Sequence, residues 1–242
     1  MKKIVIIPAF NEEARIAAII GKIHSIDNAL KIAVIDDGSK DNTAHSASSA
    51  GAVALRLPFN MGYGVALQTG YKYAYENGYD IVIQLDADGQ HDPKYIPDMI
   101  AALLKNSDDV IVGSRFKVKT GYRASLVRRM GIFFFGSIVS MIMMKKMTDP
   151  TSGYQAIRSR VLPFLISESF PNDYPDADLL IMLYYEGFKI EEFPMEMYSD
   201  PKNKSMHKGF FKNIYYIFKM LLSIFLVVIS VKFFRNRRQI CL

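Results

Sequence analysis

Ile81-Val82-Ile83-Gln84-Leu85-Asp86-Ala87-Asp88-Gly89-Gln90-His91-Asp92-Pro93 runs from an apolar strand, through a cluster of acids, to a helix start. Asp92 is placed as an N-cap and Pro93 suits the first helical position. The strand is apolar throughout rather than alternating, as in strands buried on both faces of a parallel sheet. The same unit recurs along the first half of the chain. Strands are predicted at 3–7, 32–35, 52–57, 80–85 and 110–113, and helices at 12–26, 42–50, 65–77 and 93–105, with Asn11 and Asp41 as further N-caps. Strand–helix alternation with short connections gives an α/β fold, a mostly parallel central sheet flanked by helices. Ligands in such folds sit beyond the carboxyl ends of the strands.

Acidic residues gather at those ends. Glu12 follows the first strand, Asp36-Asp37-Gly38-Ser39 the second, and Asp86-Ala87-Asp88 the fourth. A cleft holding several negative charges is unfavourable unless a cation or hydrogen-bond donors offset them. Asp86 and Asp88, two apart on an extended segment, are hard oxygen ligands suited to Mg²⁺ or Mn²⁺, with Gln90 as a further oxygen donor and His91 as a weaker candidate. Taken alone, an Asp-X-Asp arises by chance, and Asp36-Asp37 also fits a solvated turn. Asn60-Met61-Gly62-Tyr63-Gly64, placed before a helix, could cradle phosphate on its backbone N–H groups.

The chain of 242 residues is 50% hydrophobic and 22% charged, enough for a packed core. Its net charge of +6 is unevenly spread: residues 1–112 carry 10 basic against 14 acidic residues, and residues 113–242 carry 20 against 10. The basic half also holds the long apolar runs, which favours an anionic membrane surface over nucleic acid. Residues 131–144 make a helix of about 21 Å against a hydrocarbon thickness of about 30 Å. That run and the helix pattern at 210–234 both have basic residues at each end, so interfacial helices are expected; the alternatives are that one is a buried core helix, or that the last snorkels its lysines and spans. A helix is also expected near 177–186 and a strand near 189–194. The single cysteine, Cys241, suits a reducing compartment, and the seven apolar residues 4–10 are too few for a signal-peptide core. The expected location is the cytoplasmic face of a membrane.

Taken together, these motifs resemble the family 2 glycosyltransferases, which have the GT-A fold. The matching stretches are Ile6-Ile7-Pro8-Ala9-Phe10-Asn11-Glu12-Glu13, Val34-Ile35-Asp36-Asp37-Gly38-Ser39-Lys40-Asp41-Asn42-Thr43, Asn60-Met61-Gly62-Tyr63-Gly64, Gln84-Leu85-Asp86-Ala87-Asp88-Gly89-Gln90-His91 and Gly113-Ser114-Arg115-Phe116. Thr148-Asp149-Pro150-Thr151-Ser152-Gly153-Tyr154-Gln155-Ala156 points to the branch similar to dolichyl-phosphate mannose synthase and polyprenyl-phosphate sugar synthases. The resemblance implies a catalytic domain over 1–205, with a nucleotide-sugar half at 1–114 and an acceptor half at 115–205, followed by a membrane-associating helix at 206–242. It implies that Pro8, Phe10, Glu12, Asp37 and Gly62 hold the donor, that Asp86, Asp88 and Gln90 hold the metal, and that Arg115 pairs with an acceptor phosphate. Ser114, Ser152 and Gly153 would shape the acceptor side, and Arg123 and Arg128, in a basic loop with Lys117, Lys119 and Arg129, would orient the acceptor. In one place the chain departs from the family, whose closing segment is Arg-x-x-Gly-x-Ser-Lys. Asp200 and Asn203 stand where that pattern has arginine and glycine, leaving Lys202 and Lys204 as point charges on the donor.

The implied reaction is metal-dependent transfer of a sugar, with inversion, from a nucleotide sugar to a membrane lipid. A polyprenyl phosphate acceptor is already anionic, whereas the hydroxyl of a lipid-linked saccharide needs a base, for which Asp178 is the first candidate and Asp176 the second. Both also fit helix N-terminal carboxylates favoured by the dipole. A non-catalytic donor-binding or scaffolding subunit is the alternative of another class. Nucleotidyl transfer ranks low, because Pro8-Ala9-Phe10-Asn11-Glu12 occupies the place of a glycine-rich loop. A small multi-span membrane protein is an expected partner.

Overall fold

The computed structural model describes residues 1–117, 126–171, 173–197 and 210–238. Seven strands form one sheet: β1 (Lys3–Ala9), β2 (Lys31–Asp36), β3 (Val53–Arg56), β4 (Ile81–Gln84), β5 (Val110–Ser114), β6 (Gln155–Arg158) and β7 (Ile190–Pro194). Their order is β3-β2-β1-β4-β6-β5-β7. All pairs are parallel except those of β6, which runs antiparallel to both β4 and β5.

Why the strands read as continuous apolar runs is visible in β1. Ile4 and Ile6 pack into the cluster on one face, while Val5 and Ile7 pack into the cluster on the other. Helices α1 (Glu13–Ile26), α2 (Thr43–Ser49) and α4 (Ile96–Lys105) cover the second face. The first is covered by α3 (Tyr63–Glu76), α5 (Leu126–Met143), α6 (Leu162–Leu165), α7 (Ala177–Tyr185) and α8 (Phe210–Arg238).

Several expectations need correction. The helix expected at 131–144 begins at Leu126, so Arg128 and Arg129 lie in its first turn rather than in a loop. Strand β6 and helix α6 were not expected. Asn11 does not cap α1: it adopts a left-handed φ of 56°, and its side chain accepts the Lys40 N–H at 2.9 Å. Asp92 does act as expected, accepting the Lys94 N–H at 3.0 Å ahead of Pro93.

Helices α5 and α8 carry apolar side chains on two faces. Phe135, Val139 and Met143 of α5 are buried in the core, while Met130, Phe133 and Met141 are at least 70% exposed. Along α8, Met220 and Ile224 are buried, while Phe218, Phe225 and Leu226 are exposed. A helix that is apolar all round ordinarily has apolar surroundings on both sides. Among the described residues, no helix is long and apolar enough to cross a membrane.

Candidate active site

Strands β1, β2 and β4 end side by side, with Ala9 opposite Asp36 and Ile6 opposite Gln84 in the register. The loops that leave them form one acidic edge. At its centre Asp86 is partly exposed, and its Oδ1 accepts the Tyr63 hydroxyl at 2.7 Å. The Asp86 N–H donates to His91 Nδ1 at 3.3 Å, and the His91 ring stacks on Tyr154 at 5.1 Å. His91 is buried, a brace beneath the turn. Burial pushes the Asp86 carboxyl above the usual aspartate range, opposed by His91 and reinforced by the charge of Asp88.

Asp88 accepts the Gln90 N–H at 2.9 Å and, at short range, the Gln90 side-chain amide. The turn is closed by Gly89 at a φ of 78°. Two carboxylates flanking Ala87, with an amide oxygen from Gln90, form a hard-oxygen donor set whose mutual repulsion a divalent cation would relieve. Among the described residues, no three His, Cys, Asp or Glu side chains are gathered so as to hold a metal. Such a set suits a cation that completes its coordination with water and substrate phosphate, as Mg²⁺-type ions do.

Arg15, a residue sequence reasoning passed over, ties the β1 loop to this turn. Its guanidinium lies 3.5 Å from Glu12 Oε2 and donates to the Asp88 carbonyl at 3.1 Å. The i,i+3 spacing of Glu12 and Arg15 at a helix start was the available signal. Glu12 is anchored through its backbone N–H to Thr43 Oγ1 at 2.9 Å. Pro8 is buried at the strand end and Phe10 is exposed beside it.

The 60–64 loop differs from its expected role. The N–H groups of Met61 and Gly62 donate to the two oxygens of Asp37, at 2.7 and 3.0 Å, and that of Gly64 donates to the Asp173 carbonyl at 3.0 Å. They are spent on the protein and form no phosphate cradle. Asp37, buried beneath them, shapes the cleft wall, and Gly62 supplies a φ of 100° that other residues rarely adopt.

The acceptor-side residues are also engaged with one another. Arg115 and Asp149 are both buried, and Arg115 Nε and Nη2 donate to the two carboxylate oxygens at 2.6 Å each. The expected phosphate partner is thus closed on a carboxylate 34 residues away. Asp149 and Thr148 in turn give their N–H groups to Glu192 Oε1 at 2.7 Å, and the Ser114 and Thr148 hydroxyls lie 2.7 Å apart. Burial raises the Glu192 carboxyl, with these N–H bonds opposing it. Ser152 is buried in the same loop.

The network delivers Gly153 against Asp86. A Cβ on Gly153 would lie 2.8 Å from Asp86 Oδ2 and 2.9 Å from the Tyr63 hydroxyl. Only glycine fits there without displacing that carboxylate.

Asp178 lies elsewhere. It is buried in the first turn of α7, accepting the Ser223 hydroxyl of α8 at 2.5 Å and the Leu179 N–H at 2.9 Å. Burial raises its carboxyl above the ordinary range. It lines a cavity of about 290 Å³ with Asp173, Tyr174, Lys219 and Ser223. Asp176 is half-exposed on the loop before α7, close enough for its charge to act on Tyr63. Arg123, Lys119, Lys202 and Lys204 lie outside the described residues, as does the side chain of Arg128.

Comparison with known proteins agrees with this architecture. The Methanococcus voltae UDP-N-acetylglucosamine–dolichyl-phosphate N-acetylglucosaminyltransferase is 30% identical over 241 residues, covering 89% of this chain and 94% of that protein. The Micrococcus luteus undecaprenyl-phosphate mannosyltransferase is 31% identical over 169 residues, 67% of this chain and 68% of that one. Among solved structures, the Mycobacterium tuberculosis glucosyl-3-phosphoglycerate synthase in complex with Mn²⁺ and uridine-diphosphate-glucose shares the fold. Its TM-score is 0.68 at 20% identity, covering 93% of this chain and 78% of that one. The profile of the family described as glycosyl transferase family 2 matches residues 4–164. The chain therefore belongs to glycosyl transferase family 2 and is a glycosyltransferase with a GT-A fold.

Proposed function

We propose that the protein transfers a sugar from a nucleotide-sugar donor to a polyprenyl phosphate at the cytoplasmic face of a membrane, using Mg²⁺ or Mn²⁺. The observation that carries this reading is the partly exposed Asp86, held by Tyr63 and backed by Gly153, with Asp88 two residues further along the loop that follows β4. Asp86, Asp88 and Gln90 would hold the cation, which when bound offsets the charge of the departing diphosphate. The protein's own groups do the rest. The β1 loop, fixed by Glu12 and Arg15, and the loop pinned by Asp37 form the donor side. The Arg115–Asp149 pair holds the acceptor-side loop rigid. In the transfer, an acceptor phosphate oxygen bonds to the anomeric carbon as that carbon's bond to the nucleoside diphosphate breaks, with inversion.

Two features favour a lipid phosphate over a saccharide hydroxyl. Asp178, the first candidate base, is buried under α8 and bonded to Ser223, so a neutral hydroxyl would find no proton acceptor there, whereas a phosphate monoester needs none. The exposed aromatic faces of α5 and α8 suit a bilayer interface, where a lipid acceptor resides. The relatives named for dolichyl-phosphate and undecaprenyl-phosphate acceptors support the same reading.

The test is incubation of the full chain with radiolabelled nucleotide sugars and undecaprenyl phosphate in vesicles. The expected product is an acid-labile, lipid-linked sugar monophosphate. Label appearing only on a preformed lipid-linked saccharide would favour a hydroxyl acceptor with Asp176 as its base.

A further inference from the structure

Three side chains line up behind Asp86 in one direction, Tyr71 and Gln84 buried and Tyr63 partly buried. The Tyr71 hydroxyl donates to Gln84 Oε1, Gln84 Nε2 donates to the Tyr63 hydroxyl at 3.1 Å, and the Tyr63 hydroxyl donates to Asp86 Oδ1 at 2.7 Å. Tyr71 and Gln84 are 0% and 3% exposed, so water does not compete for these bonds. The order of donors is forced. An ionised carboxylate can only accept, so Tyr63 donates to Asp86, the Tyr63 oxygen accepts from the Gln84 amide nitrogen, and the Gln84 carbonyl then accepts from Tyr71.

The consequence falls on the two oxygens of Asp86. Oδ1 is occupied from the protein side, while Oδ2 has His91 Nδ1 at 3.7 Å and the bare backbone of Gly153 beside it. We propose that Tyr63, oriented by Gln84 and Tyr71, is a positioning residue that restricts Asp86 to one-oxygen ligation and so selects small octahedral cations over Ca²⁺. Ca²⁺ accommodates carboxylates through both oxygens, at longer distances and higher coordination number, whereas the tight octahedral shell of Mg²⁺-type ions favours single oxygens. The inference rests on the reading of Asp86 and Asp88 as cation ligands.

The experiment measures binding of Mn²⁺ alone and Ca²⁺ alone to the full-length wild-type and Tyr63→Phe proteins. The readouts are the free-Mn²⁺ electron paramagnetic resonance signal and calorimetry, with circular dichroism to confirm folding. Removing the hydroxyl is expected to weaken Mn²⁺ binding about tenfold, the lower end for a residue that orients a ligand, while Ca²⁺ binding falls less or rises. An unchanged Mn²⁺ affinity overturns the proposal. An equal fall for both ions overturns it as well, since general loosening of the fold would not discriminate between them. If Tyr63→Phe does not fold, Tyr71→Phe decides on the same criteria, with a smaller shift expected. A wild-type chain that binds neither ion brings down the cation reading itself, an outcome distinct from a wild type that binds Mn²⁺ and a variant that matches it.

Discussion

Around β1, β2 and β4, the cleft carboxylates are held by uncharged donors: Asp86 by a tyrosine hydroxyl, Asp37 by two backbone N–H groups, Asp88 by the backbone and side chain of Gln90 in the turn that follows it. Around β5 and β7, carboxylates and cations from distant stretches close on one another: Arg115 on Asp149, Glu192 on Thr148 and Asp149. The first region keeps negative charge available at an open edge. The second is a buried ionic scaffold that aims a loop, and its tip, Gly153, abuts the first region. Charged residues near the candidate site thus divide into those left at an open edge and those closed on one another in the frame, and sequence motifs do not separate the two.

The largest effect should come from the open edge. Asp88→Ala is expected to lower transfer about a thousandfold through loss of several kcal/mol of charge stabilisation, with an unchanged circular dichroism spectrum. Activity within tenfold of wild type would mean that Asp88 does not hold a cation the reaction needs. Next, Arg115→Ala should cost about 3–5 kcal/mol of stability, because it leaves Asp149 buried without its partner. Chemical denaturation measures this. A variant of undiminished stability that binds acceptor poorly would return Arg115 to the acceptor side and erase the contrast.

A smaller effect is expected at the membrane face. Phe218→Glu with Phe225→Glu, both on the exposed side of α8, should weaken binding to anionic vesicles about tenfold or more. Their effect on the stability of the protein in solution should be within about 0.5 kcal/mol. Vesicle sedimentation and thermal melts report the two separately.

The smallest effect sharpens the role of Asp178. Asp178→Asn should change kcat by no more than about threefold, since a true base contributes about a hundredfold or more. The same variant carries a pH signature. Burial raises the folded-state pKa of Asp178, so between the ordinary and the raised value the folded protein binds the additional proton. The contribution of Asp178 to stability is therefore greatest below the ordinary aspartate range and is lost as pH rises through the raised value. Denaturation across pH should show a flatter decline in the asparagine variant, and an unaltered slope would contradict the assignment.

The contrast also explains what the sequence disclosed. Strands β1, β2, β4 and β5 were legible because burial on both faces leaves an unbroken apolar run, and the acids after them mark the carboxyl edge. Strand β6 was not: Gln155–Arg158 is four residues with polar ends, and only its pairing with β4 and β5 makes it a strand. The start of α5 was hidden because Arg128 and Arg129 interrupt the apolar pattern that marks the rest of the helix. At the site, the aspartate pair and Gln90 were readable from local spacing, but the pairing of Arg115 with Asp149 spans 34 residues and leaves no periodic trace. Tyr63 and Gly153 were visible as motif members, while their meeting at Asp86 depends on three separate elements converging.

Isothermal titration of UDP and GDP into the full chain, with Mn²⁺ and again after EDTA treatment, tests the central claim most directly. The account predicts that one of the two nucleotides binds with Mn²⁺ and loses at least about tenfold in affinity without it, as expected when a cation bridges the carboxylates and the diphosphate. Equal affinity in both conditions, or no binding in either, would contradict it.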